Sequence, residues 1–231
     1  MLRPAPPRGR VDMLGPEVSQ MNLLGPILVL SALLPTPSRP GPAQVVTHVA
    51  TRRPLIAITI NDGPDGRITP AMLRLLREQG AQATFFVSGR AIADDPQMLL
   101  EIQAARCEVE NHGYHHQAMR GWPQARIAEE VRRTDHLVAD ALGGSTHYVR
   151  PPYGDVDATL QRVARRQGEQ IVLWNVGGSD ETVHVWPKDL HRGDIVSLRD
   201  DAEGLRRLRQ ALGMAAREHL RPVTLSVLLA G

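Results

Sequence analysis

From Arg52 onward, apolar runs of strand length alternate with stretches whose apolar residues recur at helical spacing. Leu55-Ile-Ala-Ile-Thr-Ile60 is short, continuous and β-branched, which predicts a buried strand rather than an amphipathic helix. Thr69-Pro70 then opens a helix that Gly80 closes, with Met72, Leu73 and Leu76 facing inward. Residues 83–87 predict the next strand. Helical periodicity returns over residues 96–105, 123–142, 157–167 and 201–220, and short strands are predicted at 107–110, 147–149, 170–174, 194–198 and 223–227. Seven strands alternating with helices predict an α/β fold, a parallel sheet covered by helices and either open or closed into a barrel. Right-handed crossovers then bring every strand's carboxyl end to one face.

The polar residues able to do chemistry fall on that face. Asn61-Asp62 follows the first strand, Asn111-His112 the third, Arg150 the fourth, residues 175–180 the fifth and Arg199-Asp200 the sixth. In α/β barrels this end carries the active site, because strand ends aim side chains into a common mouth. His112 and His116 are four residues apart, so on a helical turn both imidazoles point the same way and can share one ion. An aspartate from a neighbouring strand end would complete a three-ligand site with open positions, the layout of catalytic zinc.

Composition narrows the class. The 231 residues suit one domain plus an extension, and 42% hydrophobic residues are enough for a core. The net charge is +2, with Lys188 the sole lysine, and no basic face is massed as nucleic-acid binding requires. The arginine clusters at 162–166 and 206–209 read as solvated helix faces, and the single Cys107 as a small buried hydrophobe. Residues 1–44 differ from the rest. They hold half of the 18 prolines and run from a leader bearing Arg3, Arg8 and Arg10, through the apolar stretch 22–34, to a proline-rich linker. That order predicts an export signal or short anchor, set against a disordered leader, with Met13 or Met21 as other starts. The apolar stretch is shorter than the roughly 20 residues of a membrane span. The expectation is an extracellular or membrane-anchored domain over 45–231, or a cytoplasmic one if the leader is no signal.

Five segments carry a family resemblance, in order. Thr59-Ile-Asn-Asp-Gly-Pro64 resembles the T-F-D-D-G-P signature of the polysaccharide deacetylase family, the NodB-like domain of carbohydrate esterase family 4. Ala83-Thr-Phe-Phe-Val-Ser-Gly89 is similar to its A-T-F-F-x-x-G strand, and Asn111-His-Gly-Tyr-His-His116 to its N-H-[ST]-x-x-H signature. Arg150-Pro-Pro-Tyr-Gly154 matches its R-P-P-Y-G groove signature, and 222–226 resembles its last strand. The resemblance implies a distorted (β/α)7-type barrel that removes acetyl groups from N-acetylated, occasionally O-acetylated, polysaccharides or oligosaccharides. It implies a divalent metal, zinc first and cobalt or manganese as alternatives, held by Asp62, His112 and His116. Tyr153 would supply a backbone oxyanion donor, with Arg150 and Pro151 lining the groove. Trp174 and Trp186 are candidates for sugar stacking or for the core.

The chain departs from this family where protons move. Asn61 stands where the family has its catalytic base, and a carboxamide can orient water but not deprotonate it. Arg199 stands where the family's acid histidine falls, and a guanidinium does not give up its proton at neutral pH. Asp180 corresponds to the aspartate that orients that acid, and is expected here to pair with Arg199. If the loop is displaced in register, His184 or His191 would be the acid, while His115, His184 and Asp65 are candidate substitute bases. The sequence therefore predicts an impaired or atypical deacetylase, or else a non-catalytic metal- and glycan-binding protein, with an unliganded structural barrel the remaining reading.

Overall fold

The first long strand is buried along its whole length, and alternation divides its side chains between two environments. Ile56, Ile58 and Ile60 pack outward against helices, whereas Leu55 and Ala57 join an inner cluster with Phe86, Val172, Ile195 and Val223. Thr59 and Asn61 share the inner face at its carboxyl end. A strand covered on both faces belongs at the centre of a parallel sheet.

The computed structural model describes residues 44–178 and 186–230. In chain order they form β1 (Val45–Val46), β2 (Leu55–Asn61), α1 (Thr69–Glu78), β3 (Thr84–Val87), α2 (Gly89–Asp94), α3 (Gln97–Ala104) and β4 (Glu108–Asn111). Next come α4 (Gln124–Leu142), β5 (Tyr148–Val149), a 3-10 turn (Pro152–Gly154), α5 (Ala158–Gln167), β6 (Gln170–Val172) and β7 (Val176–Gly177). The chain continues through β8 (Ile195–Arg199), α6 (Ala202–Arg217), β9 (Arg221–Val223) and α7 (Leu225–Leu229). The strands are parallel, in the order β1-β6-β5-β4-β3-β2-β8-β7. Two strands share one flank of β2, β9 pairing with its first half and β3 with its second, while β8 runs along the other flank. The sheet curls into a half-barrel covered by helices, the distorted (β/α) barrel expected.

Capping explains several boundaries. Asp157 and Asp201 accept hydrogen bonds from the first turns of α5 and α6, and Ser88 does the same for α2. Gly143 and Gly168 end α4 and α5 in the left-handed conformation. Thr69 does not cap α1; it lies inside the helix, and its hydroxyl bonds to Asp200 while accepting the Asp65 N–H. The strand expected at 223–227 is corrected: β9 ends at Val223, the Thr224 hydroxyl accepts from Val227 N–H, and a short helix follows. An apolar run this short does not distinguish strand from helix by periodicity. Among the described residues, β1 and β7, two residues each, extend the seven strands expected to nine. Among the described residues no helix is long and apolar enough to cross a membrane.

Candidate metal centre and active site

Two strand ends bring three ligands together at the mouth of the half-barrel. Asp62 follows β2, the loop after β4 carries His112 and His116, and one ligand atom from each residue lies within 4.8 Å of the others. Asp62 Oδ1 is 3.2 Å from His112 Nε2 and 2.9 Å from His116 Nε2. The two histidines do not share a helical turn as expected. Residues 112–116 form a loop in which Gly113 and His116 take φ of 75° and 53°, and this bend swings the second imidazole back to face the first, with ring centroids 5.1 Å apart. Asp62 and Tyr153 also sit at positive φ, 76° and 61°. Left-handed non-glycine residues cost on the order of 1–3 kcal/mol each and persist where surroundings over-determine them, so three at one mouth mark a functional constraint.

The donor set fits a cation. His112 is buried, and its Nδ1 stands 2.7 Å from the Arg150 carbonyl oxygen, which can only accept, so Nδ1 carries the proton. The Nε2 lone pair of the neutral ring then faces Asp62 Oδ1. Burial lowers the His112 pKa in spite of the neighbouring aspartate, which favours that neutral state. Asp62 is half-buried, and although desolvation alone would raise its pKa, the histidines beside it draw the carboxyl well below the usual range and keep it ionised. Despite these short approaches, Oδ1 accepts no hydrogen bond of good geometry. Lone pairs and an anionic oxygen converging without a proton between them are what a divalent ion satisfies. On the other side, Arg199 Nε lies 3.2 Å from Asp62 Oδ2 and 3.3 Å from Asp201 Oδ2.

Beneath the carboxylate, Asn61 is held at both ends. Its Nδ2 donates to Ser197 Oγ at 2.8 Å, and its Oδ1 accepts from Arg150 Nη1 at 2.8 Å. Arg150 was expected to line the groove, but it is 0% exposed. Strand alternation turns it into the barrel, where it donates to Thr59 Oγ1, Asn61 Oδ1 and the carbonyls of Val172 and Leu173, over the Phe86 ring at 4.0 Å. Burial pushes its pKa down, but a guanidinium starts far above neutral and here meets four acceptors, so it stays protonated. Among the described residues no carboxylate pairs with it. Pro151 is likewise buried.

Tyr153 does reach the mouth, 52% exposed and with its ring 5.0 Å from that of His116. Half-buried Trp174 lies beside it. A Cβ on Gly154 or Gly178 would meet the indole at 3.1 or 2.7 Å, so these glycines make room for the ring. Trp186 packs against the outer core with Arg207 over it.

The substitute proton carriers fare less well. Asp65 Oδ1 accepts the N–H groups of Arg67 and Ile68; these bonds hold its carboxyl below the usual range and commit it to the turn before α1. His115 Nδ1 is tied to Glu130 at 2.6 Å. His191 precedes β8, at the opposite end of the strand from the site, with its side chain 81% exposed. Asp180 and His184 lie outside the described residues. Arg199 ends β8, paired across from Asn61 in the β2–β8 register.

Two anchors were not singled out from the sequence. Glu130 accepts the N–H groups of Tyr114 and His115, and Asp135 Oδ1 accepts from Asn111 Nδ2 at 2.7 Å, so α4 grips the histidine loop. Their signal is polar residues on or beside the inward stripe of α4, where Glu130 and Thr134 are buried with Ile127, Val131 and Val138.

Comparison with known proteins agrees with this arrangement. The family profile described as polysaccharide deacetylase matches residues 48–172. A bifunctional xylanase/xylan deacetylase of Cellvibrio japonicus is 28% identical over 152 residues, covering 63% of this chain and 23% of that protein. A peptidoglycan-N-acetylglucosamine deacetylase of Bacillus cereus is 29% identical over 208 residues, 80% of this chain and 92% of the relative. The chain thus spans about a quarter of the length of some curated relatives and nearly all of another. The fold of a CE4 family pseudoenzyme from Bacillus anthracis superposes with a TM-score of 0.71 at 18% identity, over 81% of this chain and 69% of that one. With the profile spanning more than half the chain and the signatures meeting at one mouth, the chain belongs to the polysaccharide deacetylase family.

Proposed function

We propose that this protein is a metal-dependent deacetylase of N-acetylated or O-acetylated glycans, such as chito-oligosaccharide or peptidoglycan, whose turnover is attenuated by Asn61 and Arg199. The observation that carries this reading is the convergence of Asp62, His112 and His116 around an oxygen that accepts no hydrogen bond. A divalent ion there, zinc or else cobalt or manganese, supplies Lewis-acid polarisation of the acetyl carbonyl and acidifies a bound water. Asp62, His112 and His116 hold it, and Arg199 steadies the second oxygen of Asp62. The Tyr153 N–H, which no acceptor engages among the described residues, is the donor for the developing oxyanion. Trp174 and Tyr153 form an aromatic rim suited to a sugar face. Asn61 is fixed by Arg150 and Ser197 and has no basicity to take a proton; Arg199 can stabilise negative charge but not protonate a leaving amine.

Those two positions favour a second reading, a metal- and glycan-binding protein without turnover. We read residues 1–44 as an export or anchoring leader to the deacetylase domain at 45–231, in keeping with an extracellular glycan and with no role for nucleic acid. Acetate release from N-acetylated chito-oligosaccharides and from peptidoglycan, by protein loaded with zinc, cobalt or manganese, separates the two. Slow release that disappears in Asp62→Ala is the expected result. Undetectable release from protein that binds the metal favours the second reading.

A further inference from the structure

Thr146 stands between two carboxyl groups. Its hydroxyl bonds Asp135 Oδ1 and lies 2.9 Å from Glu169 Oε1. One hydroxyl has one proton and can donate to only one of these oxygens. The other must donate in return, or face the hydroxyl lone pairs in repulsion. Glu169 fits the donor's part: it is buried, and its Oε2 has no partner, which costs far less for the carbonyl of a neutral acid than for a carboxylate. Burial first, and then the Asp135 charge, push its pKa up to about 8. Asp135 fits the ionised part, since its Oδ1 also accepts from Asn111 Nδ2. Asn111 in turn donates to the Val131 carbonyl, and its Oδ1 accepts the Gly113 N–H at 2.8 Å, between the two histidines.

We propose that Glu169 and Asp135 are positioning residues for His112 and His116, acting through Thr146 and Asn111 as two runs of donors that converge on Asp135, one starting at Glu169 and the other at the histidine loop. Its effect on the metal rests on the metal-centre reading above. The groups facing Glu169 are Asp135 from α4, Glu110 from β4, and Arg165 from α5 with His147 and Tyr148 beside β5 in a shared cavity. Deprotonation of Glu169 removes the first donor and leaves Thr146 as a single proton between two anions, so the link to Asp135 and Asn111 weakens. Residues supporting metal ligands are typically worth about 10- to 100-fold in metal affinity.

The test is Co2+ titration calorimetry on the full chain between pH 7 and 9, together with hydrogen exchange at the Gly113 amide in metal-free protein. Thr146→Val is expected to weaken Co2+ binding about 10-fold and to speed Gly113 exchange, and Thr146→Ser to restore both. Glu169→Gln, whose amide donates at every pH, is expected to match the unmodified protein at pH 7 and to lose less affinity by pH 9. Parallel pH profiles for Glu169→Gln and the unmodified protein overturn the proposal, as does folded Thr146→Val with unchanged affinity and exchange. If Thr146→Val does not fold, the Glu169→Gln profile decides. If the unmodified protein binds no Co2+, the metal-centre reading fails, and the exchange measurements on Thr146→Val and Glu169→Gln alone decide whether these donors hold the loop.

Discussion

Replacing Asn61 with aspartate and Arg199 with histidine in one protein is expected to raise acetate release from N-acetylated chito-oligosaccharides by at least about 100-fold. General acid and general base assistance are each typically worth about 10²- to 10⁴-fold, and this chain has at both positions a residue that cannot move a proton at neutral pH. The sites are otherwise ready. In the Asn61→Asp change, the new carboxylate would inherit the Arg150 contact on one oxygen, while Ser197, now a donor, would satisfy the other. Arg199 lies directly opposite in the β2–β8 register, beside Asp62, so an imidazole there would project into the same mouth. Each single change is expected to recover part of the gain. A double variant that binds metal as the parent does yet gains no activity would show that these residues do not limit turnover.

Asn61→Asp on its own is expected to stabilise the fold at pH 7 by about 3 kcal/mol, through Arg150. The guanidinium is fully buried and, among the described residues, meets only neutral acceptors. Leaving a buried charge without its partner typically costs about 3–5 kcal/mol, so supplying a carboxylate 2.8 Å away returns a comparable amount. An ion-paired aspartate has its folded pKa depressed, so its stabilisation is present above the unfolded value of about 3.9 and is lost as pH falls through the folded value. Denaturation midpoints of parent and variant should therefore differ at pH 7 and converge toward pH 2. Equal stability at pH 7 would mean that the Arg150 charge is already compensated.

Much of the fold was legible in the sequence. The short β-branched run 55–60, with Thr59 its one polar residue, reads as a strand covered on both faces, and the long helices α4, α5 and α6 announce themselves by apolar spacing and caps. The site's location was legible too, because strand ends dictate where Asn61, Asp62, His112 and Arg199 emerge. Side-chain direction was not. Arg150 follows a strand of two residues, and whether it points to the groove or the interior depends on a pleat that so short a strand does not reveal. A spacing of four fits both a helical turn and the observed histidine loop, and the positive φ of His116 that separates them carries no sequence signal. Two-residue strands such as β1 and β7 have no periodicity to detect, and the anchors Glu130 and Asp135 depend on tertiary neighbours. His191 was a candidate acid only on a displaced loop register, and it stands before β8, at the end of that strand away from the site.

That Asp62, His112 and His116 together hold one divalent ion is tested most directly by calorimetric titration of metal-free protein with Zn2+, compared with Asp62→Ala. The expected result is one site per chain in the parent, with proton release small because burial already keeps His112 neutral, and loss of that site in Asp62→Ala. No saturable binding by the parent, or the same binding by Asp62→Ala, would contradict it.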